Sequence, residues 1–246
     1  MLSKPKYYRM STKNLLEMKK VLLKFFSILS WPAKIAAKRQ AHLEPSLPYF
    51  SPGFEYKSTC RILCKPRVKV VSGARISVGD NVVLNSNPEG YHAGMSFPVT
   101  LTADRQDACI TIGESSRLHG CCIHAWSTIS IGRKCLLASG CQLLDAHGHI
   151  SGLEYARIRS QVADEPIPII IGSFCWIGLG VIIMKGVQLG EGCVVAANSV
   201  VMAGDYPPFS LIAGTPAKVV RVVEEEKVFP EDYPVDMLTE GKYYKY

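Results

Sequence analysis

The densest chemistry in the chain is the segment Asp145-Ala146-His147-Gly148-His149. An imidazole exchanges a proton near neutral pH, so two of them beside a carboxylate are candidates for proton transfer. Asp145 or a backbone carbonyl would hold the ring tautomer that leaves one nitrogen bare, or Asp145 merely braces a corner. His147 either points into a cleft beside His149 or is a satisfied corner residue. Tyr91 and His92 lie in Tyr91-His92-Ala93-Gly94-Met95, where they line a pocket or remain solvated. His119 and His124 are a further pair of imidazoles, but a catalytic zinc site needs three protein ligands and an open position. Cys60 and Cys64 form a CxxxC pair with no second matched pair, which is weak evidence for zinc.

The elements that must carry these residues show a period of six. Ile171, Ile177, Ile183, Leu189, Val195 and Val201 recur at that interval, most followed by a small residue: Gly172, Gly178, Gly190, Ala196. Earlier runs beat in the same way at Ile131, Leu137 and Leu143 and at Ile112 and Leu118, with Ile76 and Leu84 as a first ragged turn. A period of six fits neither a helix nor a lone amphipathic strand. It fits a short strand and a tight corner, repeated as a solenoid in which each aliphatic residue lies on its copy in the next coil. Cys122, Cys135, Cys141, Cys175 and Cys193 fall four places after a repeat aliphatic, where a thiol serves as a small apolar filler. Interruptions are expected at about 86–109 and 150–168, and loops leaving a rigid scaffold are where sites form.

Over about 66–221 the sequence resembles the hexapeptide-repeat acyltransferases, in particular O-acetyltransferases acting on sugars, capsule and O-antigen. That resemblance implies an all-β left-handed parallel β-helix, with three hexads to a triangular coil. It places His149 as the general base that takes the proton of an acceptor hydroxyl, with Asp145 as its partner. It implies acetyl-CoA as acyl donor, the pantetheine arm running beside Trp176 and meeting backbone groups at Leu179 and Ala197, with Gly180 and Asn198 alongside. Asp205–Arg221 resembles the family's closing segment: Gly214, Thr215 and Pro216 form a ledge for the adenine, and Lys218 and Arg221 reach the 3′-phosphate. His119 stands where relatives acting on maltose and galactoside carry an Asn, so those small sugars do not transfer directly. The same resemblance implies a homotrimer with coenzyme A held between subunits and a saccharide acceptor. Two other readings stay open: a zinc enzyme like the γ-class carbonic anhydrases, and a non-catalytic CoA-binding subunit.

Composition frames these readings. The chain has 246 residues, 48% hydrophobic and 20% charged, which excludes wholesale disorder. Its charge of +7 is uneven. Residues 1–50 hold ten Lys/Arg and two Asp/Glu, and the remainder holds 18 and 19, so the body is nearly neutral and a broad nucleic-acid face is not expected. Residues 1–47 read as a basic helical region: Leu15, Met18, Leu22, Phe25 and Leu29 are spaced for one apolar helix face. That face packs on protein or lies on a membrane surface. Residues 48–221 read as the β-helix domain, and 222–246 as a cap or tail. With no evident signal peptide or spanning segment, the expected location is the cytoplasm, at the inner face of the membrane if the helix touches lipid. No metal is expected.

Overall fold

The structure, a computed structural model, describes residues 52–233. The helical region expected over 1–47 lies outside the described residues. Within them the chain is almost entirely short parallel strands in three sheets, joined by tight corners. Sheet one stacks Phe54–Tyr56, Arg75–Val78, Cys109–Ile112, Thr128–Ile131, Ile169–Ile171, Val187–Leu189 and Gly204–Tyr206. Sheet two stacks Arg61–Leu63, Val83–Asn85, Arg117–His119, Leu136–Leu137, Trp176–Ile177, Val194–Val195 and Ser210–Gly214. Sheet three stacks Arg67–Val70, Thr100–Ala103, Cys122–Ala125, Gln142–Leu144, Ile182–Ile183 and Val200–Val201. One strand from each sheet makes a coil, and the coils form a triangular prism, a left-handed parallel β-helix. Ala217–Val222 turns back antiparallel on Ser210–Gly214 and closes the stack.

Register shows why the period is six. Leu84, Leu118, Leu137, Ile177, Val195 and Ile212 lie directly over one another and have no exposure. Leu101, Ile123, Leu143, Ile183 and Val201 form the equivalent column in sheet three. Burying each such side chain is worth roughly 1.5–3 kcal/mol, and the columns line two of the three walls of the core. Between sheets one and two the corner residues Asn81, Ser115, Lys134, Phe174 and Phe209 all take positive φ. Small residues just before them let coils approach: a Cβ on Gly132 would sit 2.5 Å from the Ser173 nitrogen of the next coil.

The coil begins earlier than the ragged turn at Ile76, because Phe54–Tyr56 pairs with Ile76–Val78. The first interruption is shorter than expected: Thr100–Ala103 rejoins sheet three between Arg67–Val70 and Cys122–Ala125. The cysteine register also needs one correction. Cys135, Cys141, Cys175 and Cys193 are fully buried as expected, but Cys122 is not and Cys121 takes its place. The corner at His119-Gly120 is one residue short, so Leu118 to Ile123 spans five positions and not six.

Candidate active site

The corner between sheets two and three forms one continuous edge. Its backbone is linked coil to coil: Gly120 N–H donates to Asn85 O, Gly140 to Gly120, Gly180 to Ser139 and Asn198 to Leu179. Thr215 Oγ1 donates to Asn198 O at 3.3 Å and ends the series. Leu179 and Ala197 stand on this edge, and their N–H groups have no hydrogen-bond partner among the described residues. Gly180 and Asn198 beside them take positive φ. Trp176 is 54% exposed on the adjoining face of sheet two. Gly214, Thr215 and Pro216 form the exposed hairpin turn at the top, and Lys218 and Arg221 follow on its exposed return strand. The residues expected to meet the donor therefore share one edge and one end of the prism.

Lower on this edge the loop 86–99 folds over the corner. Its base is closed by Val99 N–H donating to the buried Ser86 Oγ at 3.1 Å. Met95 packs where a Cβ on Gly120 would stand, so only glycine, here at φ +44°, lets the loop seat. Ser139 ties the loop to the next coil: its N–H donates to Tyr91 Oη at 3.4 Å and its hydroxyl to Gly94 O. Tyr91 stacks on His119 with centroids 4.9 Å apart and planes 19° from parallel, and His92 lies 4.8 Å from Tyr91 on centroids. Asn85, one coil below, completes the cluster through Nδ2, 3.1 Å from His119 Nδ1. Burial, with the nearby charges of Arg117 and His92, holds the His119 pKa below its ordinary value. Burial raises that of Tyr91, against the Ser139 hydrogen bond that lowers it.

His149 lies on a different edge, between sheets three and one, where 145–168 leaves the coil. It is exposed and its ring has no hydrogen-bond partner among the described residues. Asp145 does not touch it. That carboxylate is fully buried and accepts the N–H groups of Trp126 and Ser127 at 2.7 Å each and the Ser127 hydroxyl at 3.0 Å. The expected Asp145–His149 partnership is thus replaced by a corner brace, because two donors of the coil below point at the carboxylate. His147 donates its backbone N–H to Asp164 Oδ2 at 2.9 Å, and its Nδ1 is 3.8 Å from the same oxygen. Lys185 reaches both oxygens of Asp164, at 2.7 and 2.6 Å. Burial would raise the Asp164 pKa, but Lys185 and His147 outweigh it and hold the carboxyl below its usual range. His147 and His149 therefore sit together on a loop pinned at both ends, apart from Tyr91, His92 and His119.

Four residues that organise these edges were not singled out from the sequence: Asn85, Ser139, Asp164 and Lys185. Asn85 ends a strand and Ser139 lies in a corner, places where a small polar residue reads as structural. Asp164 and Lys185 are 21 positions apart and meet only because the loop closes on the next coil. His119 and His124 do not converge. The first pairs with Asn85, and the second lies 3.0 Å from Asp104 Oδ1 on another face. Among the described residues no three His, Cys, Asp or Glu are placed to hold a metal.

Residues 168–203 match the family model described as the hexapeptide repeat of succinyl-transferase. These coils are hexapeptide repeats. A Schizosaccharomyces pombe protein bearing the provisional name of an acetyltransferase is 38% identical over 104 residues, 40% of this chain and 45% of its own length. A similarly named Staphylococcus aureus protein is 46% identical over 68 residues, 28% of this chain and 34% of its own. The chain thus spans less than half the length of these curated relatives. The hexapeptide-repeat fold is shared with a variant of AntD, an N-acyltransferase from Bacillus cereus solved with dTDP and coenzyme A. The TM-score is 0.50 at 16% identity, covering 70% of this chain and 85% of that one. Among the described residues no helix is long and apolar enough to cross a membrane.

Proposed function

We propose that the protein transfers the acetyl group of acetyl-CoA to a sugar hydroxyl, in a surface polysaccharide or its precursor, with His149 as general base. One observation carries the reading: the edge of the prism on which Leu179 and Ala197 leave backbone N–H groups unused, below the Gly214–Pro216 turn and its basic strand. A pantetheine arm is a chain with amide groups, and unobstructed backbone donors fit it. Lys218 and Arg221, both exposed, suit a phosphate.

When bound, acetyl-CoA supplies an electrophilic thioester carbon, to which the hydroxyl oxygen bonds as the carbon–sulfur bond breaks. His149 takes the hydroxyl proton through a bare ring nitrogen and returns it to the departing sulfur, leaving an ester and a thiol. Because transfer is direct, no acyl group resides on the protein. A free backbone N–H on the edge offers a donor where negative charge develops on the carbonyl oxygen.

Within one chain the imidazole and this edge are separated by the width of sheet three. Five residues from Gly180 to Lys185 at about 3.3 Å each make roughly 16 Å. The reading therefore needs a second copy to bring His149 to its neighbour's edge, as in the homotrimer that the resemblance implies. The basic segment 1–47 would bring such an assembly to lipid-linked acceptors from the cytoplasmic side.

The test is His149→Ala, assayed with labelled acetyl-CoA on a panel of oligosaccharide and nucleotide-sugar acceptors. The variant should keep its melting temperature and its CoA binding and lose at least about a hundredfold in transfer. Near-normal turnover would reject the reading, and CoA binding with no acceptor acetylated by the native protein favours the non-catalytic subunit.

A further inference from the structure

The hydrogen bonds around Asn85 fix a property of His119 that neither its position in the repeat nor its burial states. Asn85 is 8% exposed, and its Oδ1 accepts the Asn87 backbone N–H at 2.9 Å. A backbone N–H can only donate, so the amide cannot be flipped without setting two donors against each other. Its Nδ2 is thereby committed to the other side, where it lies 3.1 Å from His119 Nδ1. An amide nitrogen can only donate, so His119 Nδ1 must be bare and accept. The single proton of the neutral ring then sits on Nε2, which has no partner among the described residues. Gaining a second proton would put an N–H on Nδ1 directly against the Asn85 donors.

The groups facing the ring reinforce this state. Tyr91 covers one face and His92 lies beyond it on the loop. Arg117 on the same strand and His92 both disfavour added positive charge. Neither Ser139 nor Gly140 on the next coil is ionisable.

We infer that Asn85 is a positioning residue that locks His119 as a neutral Nε2–H donor, and that this donor selects an acceptor oxygen bearing a lone pair. A hydroxyl can accept from Nε2–H and still offer its own proton to a base. A protonated amine has no lone pair and is refused. His119 is thus no second base, since its only basic nitrogen is engaged by Asn85. The inference rests on the acetyl-transfer reading for the identity of its ligand, but the tautomer itself does not.

Two-bond proton–nitrogen spectra of the full chain labelled with 15N-histidine test it, with His119→Gln identifying the signal. In the native protein His119 should show a bare Nδ1 and a protonated Nε2 around neutral pH. Asn85→Asp supplies an acceptor at Nδ1 and should protonate that nitrogen, raising the His119 pKa by roughly one to three pH units. The other histidine signals and the melting temperature should hold. A native ring protonated on Nδ1, or signals indifferent to Asn85→Asp and Asn85→Leu alike, overturns the tautomer lock. Offered oligosaccharides of glucose and of glucosamine at neutral pH, the native protein should leave label that mild alkali releases as an ester. Alkali-stable amide label on glucosamine overturns the selection of oxygen. A protein that acetylates neither sugar nor any oligosaccharide, yet shows the expected tautomer, removes the transfer reading and with it the ligand, and leaves the lock standing.

Discussion

Replacing Asp145 with Asn separates a brace from a catalytic partner. The native carboxylate is fully buried and accepts two backbone N–H groups at 2.7 Å and one hydroxyl at 3.0 Å. Asn keeps the shape but turns one acceptor into a donor that faces one of those N–H groups. One charge-assisted bond is lost and the other becomes neutral, each such bond contributing about 1.5–3 kcal/mol. The donors at Trp126 and Ser127 are only half-buried, so water relieves part of the loss. The net effect is about 3 kcal/mol, or a fall of about 6–12 °C in Tm for a domain of this size. Differential scanning calorimetry reads the first quantity. Acetyl transfer, measured well below the melting point, reads the second and should remain within about threefold of native, because Asp145 makes no contact with His149. A normal Tm together with a collapse in turnover would refute the brace and return Asp145 to the chemistry.

Mixing His149→Ala protein with an Ala197→Trp variant, each inactive alone, should restore transfer after the subunits exchange. In a random 1:1 mixture about a quarter of the interfaces pair an intact histidine with an intact edge, and no recovery would place the whole site within one chain. Asp164 has a pKa below its unfolded value, so its contribution to stability is present above the ordinary carboxylate range and is lost as pH falls through the lowered folded value. Lys185→Met leaves Asp164 buried and uncompensated. The acid-induced opening of 145–168, followed by limited proteolysis, should move to higher pH, and an unchanged profile would show that the pair does not hold the loop. Gly132→Ala forces a Cβ to 2.5 Å from a backbone nitrogen and should destabilise by about 1–3 kcal/mol, read by urea denaturation; a neutral result would mean that the coils can separate there.

What could be read directly from the chain was whatever repeats. The six-residue beat of Ile171 to Val201 determined the strand-and-corner unit, because each aliphatic side chain has to cover its copy and each corner has to be small. The residues expected to meet the donor could be placed on one edge for the same reason, since they ride on regular coils. Where the beat was irregular the sequence reading lost register. The shortened corner at His119 exchanged Cys121 for Cys122, and strand Thr100–Ala103 was hidden inside an apparent loop.

Tertiary structure alone decided which polar groups meet. Asp145 precedes His149 by four residues, yet its partners are Trp126 and Ser127 from the coil below. His119 gained its tautomer from Asn85, 34 positions earlier, and its stacking partner from a folded-over loop. Hydrogen bonds are short-ranged and directional, so proximity along the chain carries little information about them once the backbone turns a corner. The repeat fixes where each coil lies because burial of aliphatic area is additive and tolerant of direction. The pairing of an amide with one ring nitrogen, or of a carboxylate with two N–H groups, depends on ångström-scale placement between coils, which exists only once the prism is wound.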